Sequence, residues 1–175
     1  MKILGNIRLA AITLITVASV AGSIMIQSPA HATTDVSQPI LQALTRLIQV
    51  EKVADDSYTH FLATTGEKRF QTVLNQEGIH EQKLALVLAI NGIANPIAAL
   101  KPGEFTDPTL KTLYTNTITQ GSTSKRAALA TAVKLETADI QAINAILAMK
   151  PPTFVANLLK DMRAQSVRHV QIFSK

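Results

Sequence analysis

The sequence predicts an all-α four-helix bundle, and three observations carry that prediction. Apolar residues recur at steps of three and four through four long segments, the stripe of a helix that buries one face. No segment alternates apolar and polar residues as a half-buried strand would. Turn residues (Gly, Asn and Pro) separate the segments, and the connection between the second and third is longer than the others.

The first residues stand apart from this pattern. MKILGNIR carries Lys2 and Arg8 and no acid, Leu9 to Ile26 are uncharged, and QSPAHA supplies Ala30 and Ala32. A basic start, an apolar run and an A-x-A site are the features of a secretory signal peptide, so residues 1–32 are expected to be cut away after Ala32. The apolar run is close to membrane-spanning length, and an uncleaved N-terminal anchor is the alternative. Either way the expected location is outside the cytoplasm, periplasmic or extracellular.

About 143 residues remain, one domain (33–175) with enough chain for a core. The first long helix is expected from about Ser37 to Thr64, with Leu41, Leu44, Ile48, Ala54, Tyr58 and Phe61 on its stripe and Gly66 just past its end. The second runs from about Glu67 to Ile90, with Phe70, Val73, Leu74, Leu84, Val87 and Leu88, and stops at Asn91-Gly92. The loop NPIAALKPGEFTDP follows. Asp107-Pro108 reads as a cap with proline at the first helical position, opening a short helix that ends at Gly121. The third long helix runs from about Ser124 to Met149, striped by Leu129, Val133, Ile140, Ile143 and Leu147, and Pro151-Pro152 stop it. The fourth runs from about Thr153, a candidate cap, to Phe173, striped by Val155, Leu158, Met162, Val170 and Phe173. One long crossover with a short helix in it is the ferritin-like version of a four-helix bundle.

Composition narrows the function. The chain has no cysteine, which excludes disulfide staples, iron–sulfur clusters and thiolate zinc sites. Loss of Lys2 and Arg8 with the leader lowers the net charge from +5 to about +3. Lys160, Arg163, Arg168 and Lys175 form only a mild basic cluster and read as a solvated helix face. With few aromatics and an exported chain, a nucleic-acid partner is not expected. No membrane partner is expected once the leader is cut, and the oligomeric state is open.

The informative residues are the polar ones on apolar stripes. Glu51 interrupts the first, Glu77 and His80 the second, Glu136 the third with Asp139 one turn on, and Ser166 and His169 the fourth. An unpaired buried carboxylate costs several kcal/mol, against a net domain stability of about 5–15 kcal/mol, so four such interruptions need compensation. A metal pair supplies it. The di-metal carboxylate pattern is a Glu from each of two helices and Glu-x-x-His from each of the other two. The three-residue spacing sets both side chains on one face, aimed at one point. Oxygen and imidazole donors without sulfur suit iron or manganese, and zinc less specifically.

E51-KVADDSY, Q76-EGIHEQ, V133-KLETADI and R163-AQSVRHVQIF, with G103-EFTDPTLKTLY and G121-STSKRAAL in the crossover, together resemble an uncharacterised ferritin-like family, domain of unknown function 2202. The resemblance spans about 40 to 173. It implies a ferritin-like bundle and no established activity. By position, Glu51, Glu77, His80, Glu136 and His169 match ferritin-type ligands. The fourth helix departs from the pattern, with Ser166 where Glu is expected. Helix geometry allows Asp139 to supply the lost carboxylate, giving the candidate metal set Glu51, Glu77, His80, Glu136, Asp139 and His169. The alternative is that Asp139 faces water.

Other residues have plainer readings. Tyr58 shares a face with Glu51 and either bonds a ligand or is core. His60 reads as exposed, and Asp55 and Asp56 as solvated or capping. Two functions compete. One is an exported di-iron protein with redox or iron-oxidising chemistry. The other is a non-catalytic envelope or surface module whose inward polar residues bond each other, Glu77 to His169 or Glu136 to His80. No catalytic residue is assigned, and whether the protein is an enzyme is open.

Overall fold

A computed structural model describes residues 36–175; the expected leader and its cleavage site lie outside the described residues. Five helices and no strand occur among these residues: α1 Gln38–Thr65, α2 Lys68–Ile90, α3 Pro108–Gly121, α4 Lys125–Ala148 and α5 Thr153–Phe173. The four long helices of the sequence pattern are α1, α2, α4 and α5, and α3 is the short crossover helix.

Local chemistry sets the ends. α1 stops at Gly66, whose φ of 66° takes the chain out of the helix while its N–H donates to the Leu62 carbonyl at 2.9 Å. At the start of α2 the Glu67 carboxylate accepts from the Arg69 N–H. Asp107 accepts from the Thr109 N–H at 2.8 Å ahead of Pro108, as the sequence predicts for α3. Ser124 caps α4 through the Ala127 N–H. The expected cap at Thr153 is a correction: Thr153 is the first helical residue and Pro152 occupies the cap position without a side-chain bond. The proline, at φ −51° and ψ 150°, sets the extended entry one residue earlier.

α1 packs along α2 and α4, α5 packs along α4 and α2, and α3 lies against α1 and α4. Two apolar clusters fill the bundle. One joins the start of α1, the end of α2, the end of α4 and the start of α5, through residues such as Leu44, Leu84, Ile143 and Leu159. The other joins the opposite ends through Phe61, Phe70, Ala132 and Phe173. α2 and α4 therefore run parallel, both antiparallel to α1 and α5. The crossover carries the chain back along the length of the bundle.

The α4 stripe differs from the sequence expectation. Val133, Ile140 and Leu147 are only half-buried, while Ala128, Ala132, Leu135 and Ile146 are core. The helix is covered by α1, α5 and α3 together, so its buried face is wider and rotated toward small alanines. That rotation also buries Asp139.

The crossover is tied down by residues expected in solvent. Asp56 is buried, 2.7 Å from Lys52 Nζ, and accepts from the Gly103 N–H at 2.8 Å. Gly103 has a φ of 75°, and Thr106 Oγ1 donates to Gln49 Oε1 at 2.7 Å nearby. The reading of Asp56 as solvated is thus corrected: the loop crosses α1 and its free N–H recruits the carboxylate. Asp55 is half-buried. His60 is half-buried as well, with Nε2 3.0 Å from Ser122 Oγ, because the end of α3 leans on α1. That approach needs Gly121, since the Phe61 ring occupies the place a Cβ would take.

Candidate metal centre

Between the two apolar clusters lies one polar layer. On α1 Glu51 falls between core residues Ile48 and Val53; on α2 Glu77 and His80 fall between Val73 and Leu84. On α4 Glu136 and Asp139 fall between Leu135 and Ile143, and on α5 Ser166 and His169 between Met162 and Phe173. All seven are buried, the two histidines fully. The helical stripes bring them together, because each sits at core spacing on its own helix.

The layer has two lobes that share one residue. Ligand-type atoms of Glu51, Glu77 and His80 lie within 4.8 Å of one another, and so do those of Glu77, Glu136 and His169. Glu77 turns one oxygen to each lobe: Oε1 is 2.9 Å from His169 Nδ1, and Oε2 is 3.6 Å from His80 Nδ1. Glu51 Oε2 is 3.2 Å from His80 Nδ1, and Glu136 Oε2 is 3.3 Å from His169 Nδ1. The expected pairing of Glu136 with His80 is therefore not found; Glu136 meets His169, the histidine of the helix packed beside α4.

Asp139 belongs to neither lobe of mutual contacts. It is nevertheless buried, and Ser166 Oγ donates to its Oδ2 at 2.8 Å. The reading that it faces water is overturned. Tyr58 donates to Glu136 Oε1 at 2.7 Å, while its ring packs on Phe70 and Phe173. Both sequence readings of Tyr58 hold: it is core, and its hydroxyl holds a candidate ligand.

The centre is not satisfied by its own bonds. Glu51 Oε1, Glu77 Oε1, Asp139 Oδ1 and His169 Nδ1 are all buried without a hydrogen-bond partner. Glu77 Oε1 and His169 Nδ1 stand 2.9 Å apart, but out of line for a hydrogen bond. Each orphaned group costs about 1–3 kcal/mol. Atoms that converge without pointing at each other suit a cation between them. The donor set of carboxylate oxygen and imidazole nitrogen fits iron or manganese.

The electrostatics agree. Burial, then the charges of Asp139, Glu77 and Glu136, push the Glu51 carboxyl well above its ordinary range. Burial raises Glu136 to about 7 against the pull of His169, and raises Asp139 to about 6 against the bond from Ser166. Burial opposes ionisation of Glu77 too, but His169 and His80 outweigh it and bring that carboxyl to about 2. Burial lowers His169, yet Glu136 and Glu77 carry it up to about 9. Left to themselves, Glu51, Glu136 and Asp139 hold protons more tightly than free carboxylates do, while Glu77 stays ionised beside the histidines.

A cavity of about 20 Å³, room for about one water, reaches the layer from the α1–α4 side. Val50, Ala54, Leu113 and Leu135 form its apolar wall, and Glu51, Glu77, Glu136 and Asp139 its polar end. Outside the layer, burial and neighbouring Asp55 raise half-buried Glu81 to about 7.

Two further residues were not singled out from the sequence. His169 Nε2 is 2.6 Å from Gln76 Oε1, and His80 Nε2 is 3.3 Å from Gln165 Oε1. The signal was present, since each glutamine immediately precedes a motif residue: Gln76-Glu77-x-x-His80 and Gln165-Ser166-x-x-His169.

A family described as an uncharacterized protein domain, DUF2202, matches residues 41–175, which include every residue of this layer. The chain belongs to the DUF2202 family. That family's description assigns no activity. The DUF2202 chain is similar in fold to the crystal structure of hypothetical protein MJ0754 from Methanococcus jannaschii, with a TM-score of 0.77 over 79% of each chain at 20% identity. No curated protein matches it. Among the described residues of this DUF2202 member, no helix is long and apolar enough to cross a membrane.

Proposed function

We propose that this DUF2202 protein is an exported, ferritin-like protein holding a pair of metal ions, iron first and manganese second. Export rests on the features of residues 1–32 in the sequence alone. The observation that carries the metal reading is Glu77, whose two oxygens face two separate carboxylate–histidine lobes. In this reading Glu77 would serve both ions, with Glu51 and His80 holding one and Glu136 and His169 holding the other. Asp139 stands by with one free oxygen, supplying the carboxylate that Ser166 lacks. Bound there, an iron pair supplies electron-transfer chemistry toward oxygen or peroxide, or the oxidation of ferrous iron.

The chain's own residues shape that chemistry. Tyr58 fixes the rotamer of Glu136 and leaves its Oε2 free for the centre. The apolar wall of the cavity admits a small molecule and excludes bulk water. A second reading, a structural polar network, is favoured by the Ser166–Asp139 bond and the Glu51–His80 contact. It leaves four buried atoms unpaired, and a structural network must be fully satisfied.

Elemental analysis of the purified protein tests the reading. The expected result is two metal ions per chain in the wild type and none in Glu77→Gln. A folded wild type that takes up no iron or manganese after reconstitution would overturn it in favour of the structural network.

A further inference from the structure

The crossover helix α3 lies over the cavity that reaches the polar layer. Leu110, Leu113, Thr117 and Gly121 follow at steps of three and four, one face of the helix. Leu110 and Thr117 are buried, yet Leu113 between them is 37% exposed. Leu113 borders two empty spaces. One is the cavity of about 20 Å³ that ends at Glu51, Glu77, Glu136 and Asp139. The other is an outer hollow of about 240 Å³ between α3 and α4. Leu113, Leu135 and Ala138 line both and form the partition between them. Leu135 is held in the core and Ala138 is too short to swing, which leaves Leu113 as the movable member.

We propose that Leu113 gates an access route between α3 and α4, and that the route takes a small uncharged oxidant of the hydrogen peroxide class and not a metal cation. The walls make this selection. The hollow presents Asn116, Thr117, Gln120 and Thr131, side chains that hydrogen-bond a peroxide. Among the described residues its lining carries one charged group, Lys134, and no carboxylate, so a ferrous ion is repelled at the mouth. At the gate, the side chains of Leu113, Leu135 and Ala138 offer no polar atom to replace a hydration shell. Stripping that shell costs an ion far more than it costs an uncharged molecule of the same size. The inner cavity, with room for about one water, sets the size limit. What the oxidant does on arrival rests on the di-metal reading; the route does not.

The chain has no cysteine, so a single thiol in the inner cavity reports what enters. Ala54 lines that cavity. Metal-free Ala54→Cys protein is treated with hydrogen peroxide alone, and the rate of thiol oxidation is read by intact mass. Adding Leu113→Ala is expected to raise the rate about tenfold, a barrier change of about 1.4 kcal/mol. Adding Leu113→Trp should lower it. Leu110→Ala loosens the same helix but borders neither space, and should act less than Leu113→Ala. Ala145→Trp, which fills the separate groove between α1 and α4, should leave the rate unchanged. The bulkier tert-butyl hydroperoxide should gain more from Leu113→Ala than hydrogen peroxide does. Equal rates in Leu113→Ala and Leu113→Trp, a Leu110→Ala rate as high as that of Leu113→Ala, or slowing by Ala145→Trp in place of Leu113→Trp overturns the route. Cobalt(II) uptake should keep its rate in Leu113→Trp, and slowed uptake would overturn the exclusion of cations. If the thiol rates follow Leu113 but the wild type binds no cobalt, iron or manganese, the metal reading fails and the gate stands. If two ions bind and the thiol rates ignore Leu113, the gate fails and the metal reading stands.

Discussion

The α1–α2 hairpin and the α4–α5 hairpin face the same centre with different residues. The first brings Glu51 and, in Glu77-x-x-His80, a carboxylate and imidazole aimed together. The second brings Glu136 and, in Ser166-x-x-His169, an imidazole whose partner carboxylate has moved. In the first hairpin Ala54 stands three residues after Glu51; in the second Asp139 stands three residues after Glu136. Each hairpin still offers two carboxylates and one histidine. The difference teaches that the charge of the layer is kept while its geometry is not. Glu77 serves both lobes, whereas Asp139 is drawn aside by Ser166.

The largest expected effect comes from removing the shared residue. Glu77→Ala should abolish binding of both ions, where Glu136→Ala leaves the lobe of Glu51 and His80 able to hold one. It also strips buried His169 of a counter-charge, and breaking such a buried pair costs about 3–5 kcal/mol. Metal content and urea unfolding check both. Equal loss in the two variants would break the comparison, because Glu77 would then be no bridge.

Asp139 and Ser166 come next. If the carboxylate has changed helices, Asp139→Asn should lose about one metal per chain, and Ser166→Glu should restore it in the double variant, as geometry one turn apart allows. Unchanged stoichiometry in Asp139→Asn would mean that the second hairpin contributes only Glu136 and His169.

The pH dependence of the metal-free protein sharpens the same contrast. Glu51, Glu136 and Asp139 have raised carboxyls, Glu136 to about 7 and Asp139 to about 6. The native state therefore keeps protons that the unfolded chain has released, and stability falls as pH rises through those values. His169, raised from 6.5 to about 9, contributes stability that is complete below 6.5 and lost as pH rises through 9. Glu77, lowered from 4.5 to about 2, acts oppositely, losing its contribution as pH falls below 4.5. Urea midpoints should peak near about pH 4–5 and decline toward 9. Asp139→Asn should flatten the part between about 4 and 6. Bound metal should reverse the slope, since ligation needs deprotonated groups.

The smallest effect lies in the turns of the two hairpins. Each has a left-handed residue, Gly66 at φ 66° in the first and Lys150 at φ 55° in the second. Gly66→Ala should cost about 1–2 kcal/mol, and Lys150→Gly should add about 0.5–1 kcal/mol. Thermal melts of the two variants read this directly. A destabilised Lys150→Gly would show that Lys150 is held by more than backbone conformation.

The same contrast explains what was legible in the sequence. α2 has a single buried stripe, and the wider buried face of α1 is built on large apolar residues, so Leu44, Tyr58, Phe70 and Leu84 were readable from spacing, and Glu51, Glu77 and His80 stood out as interruptions. α4 is covered on three sides, and its core rests on Ala128 and Ala132, which carry little hydrophobic signal. Its stripe was therefore read rotated, and Asp139 looked like an edge residue. Asp56 and His60 were misread because their partners, Gly103 and Ser122, are distant in sequence. Gln76 and Gln165 were passed over because a half-buried amide resembles any surface glutamine until its partner on the other helix is known.

The account turns on whether two cations sit on either side of Glu77. Anomalous diffraction from crystals of the reconstituted protein, collected at the iron edge, answers that directly. The account predicts two peaks, about 3.5–4 Å apart as in two-metal sites. One should be flanked by Glu51 and His80 and the other by Glu136 and His169, with a Glu77 oxygen on each. A map without a peak in this layer, with Glu77 bonded only to His169 and His80, would contradict it.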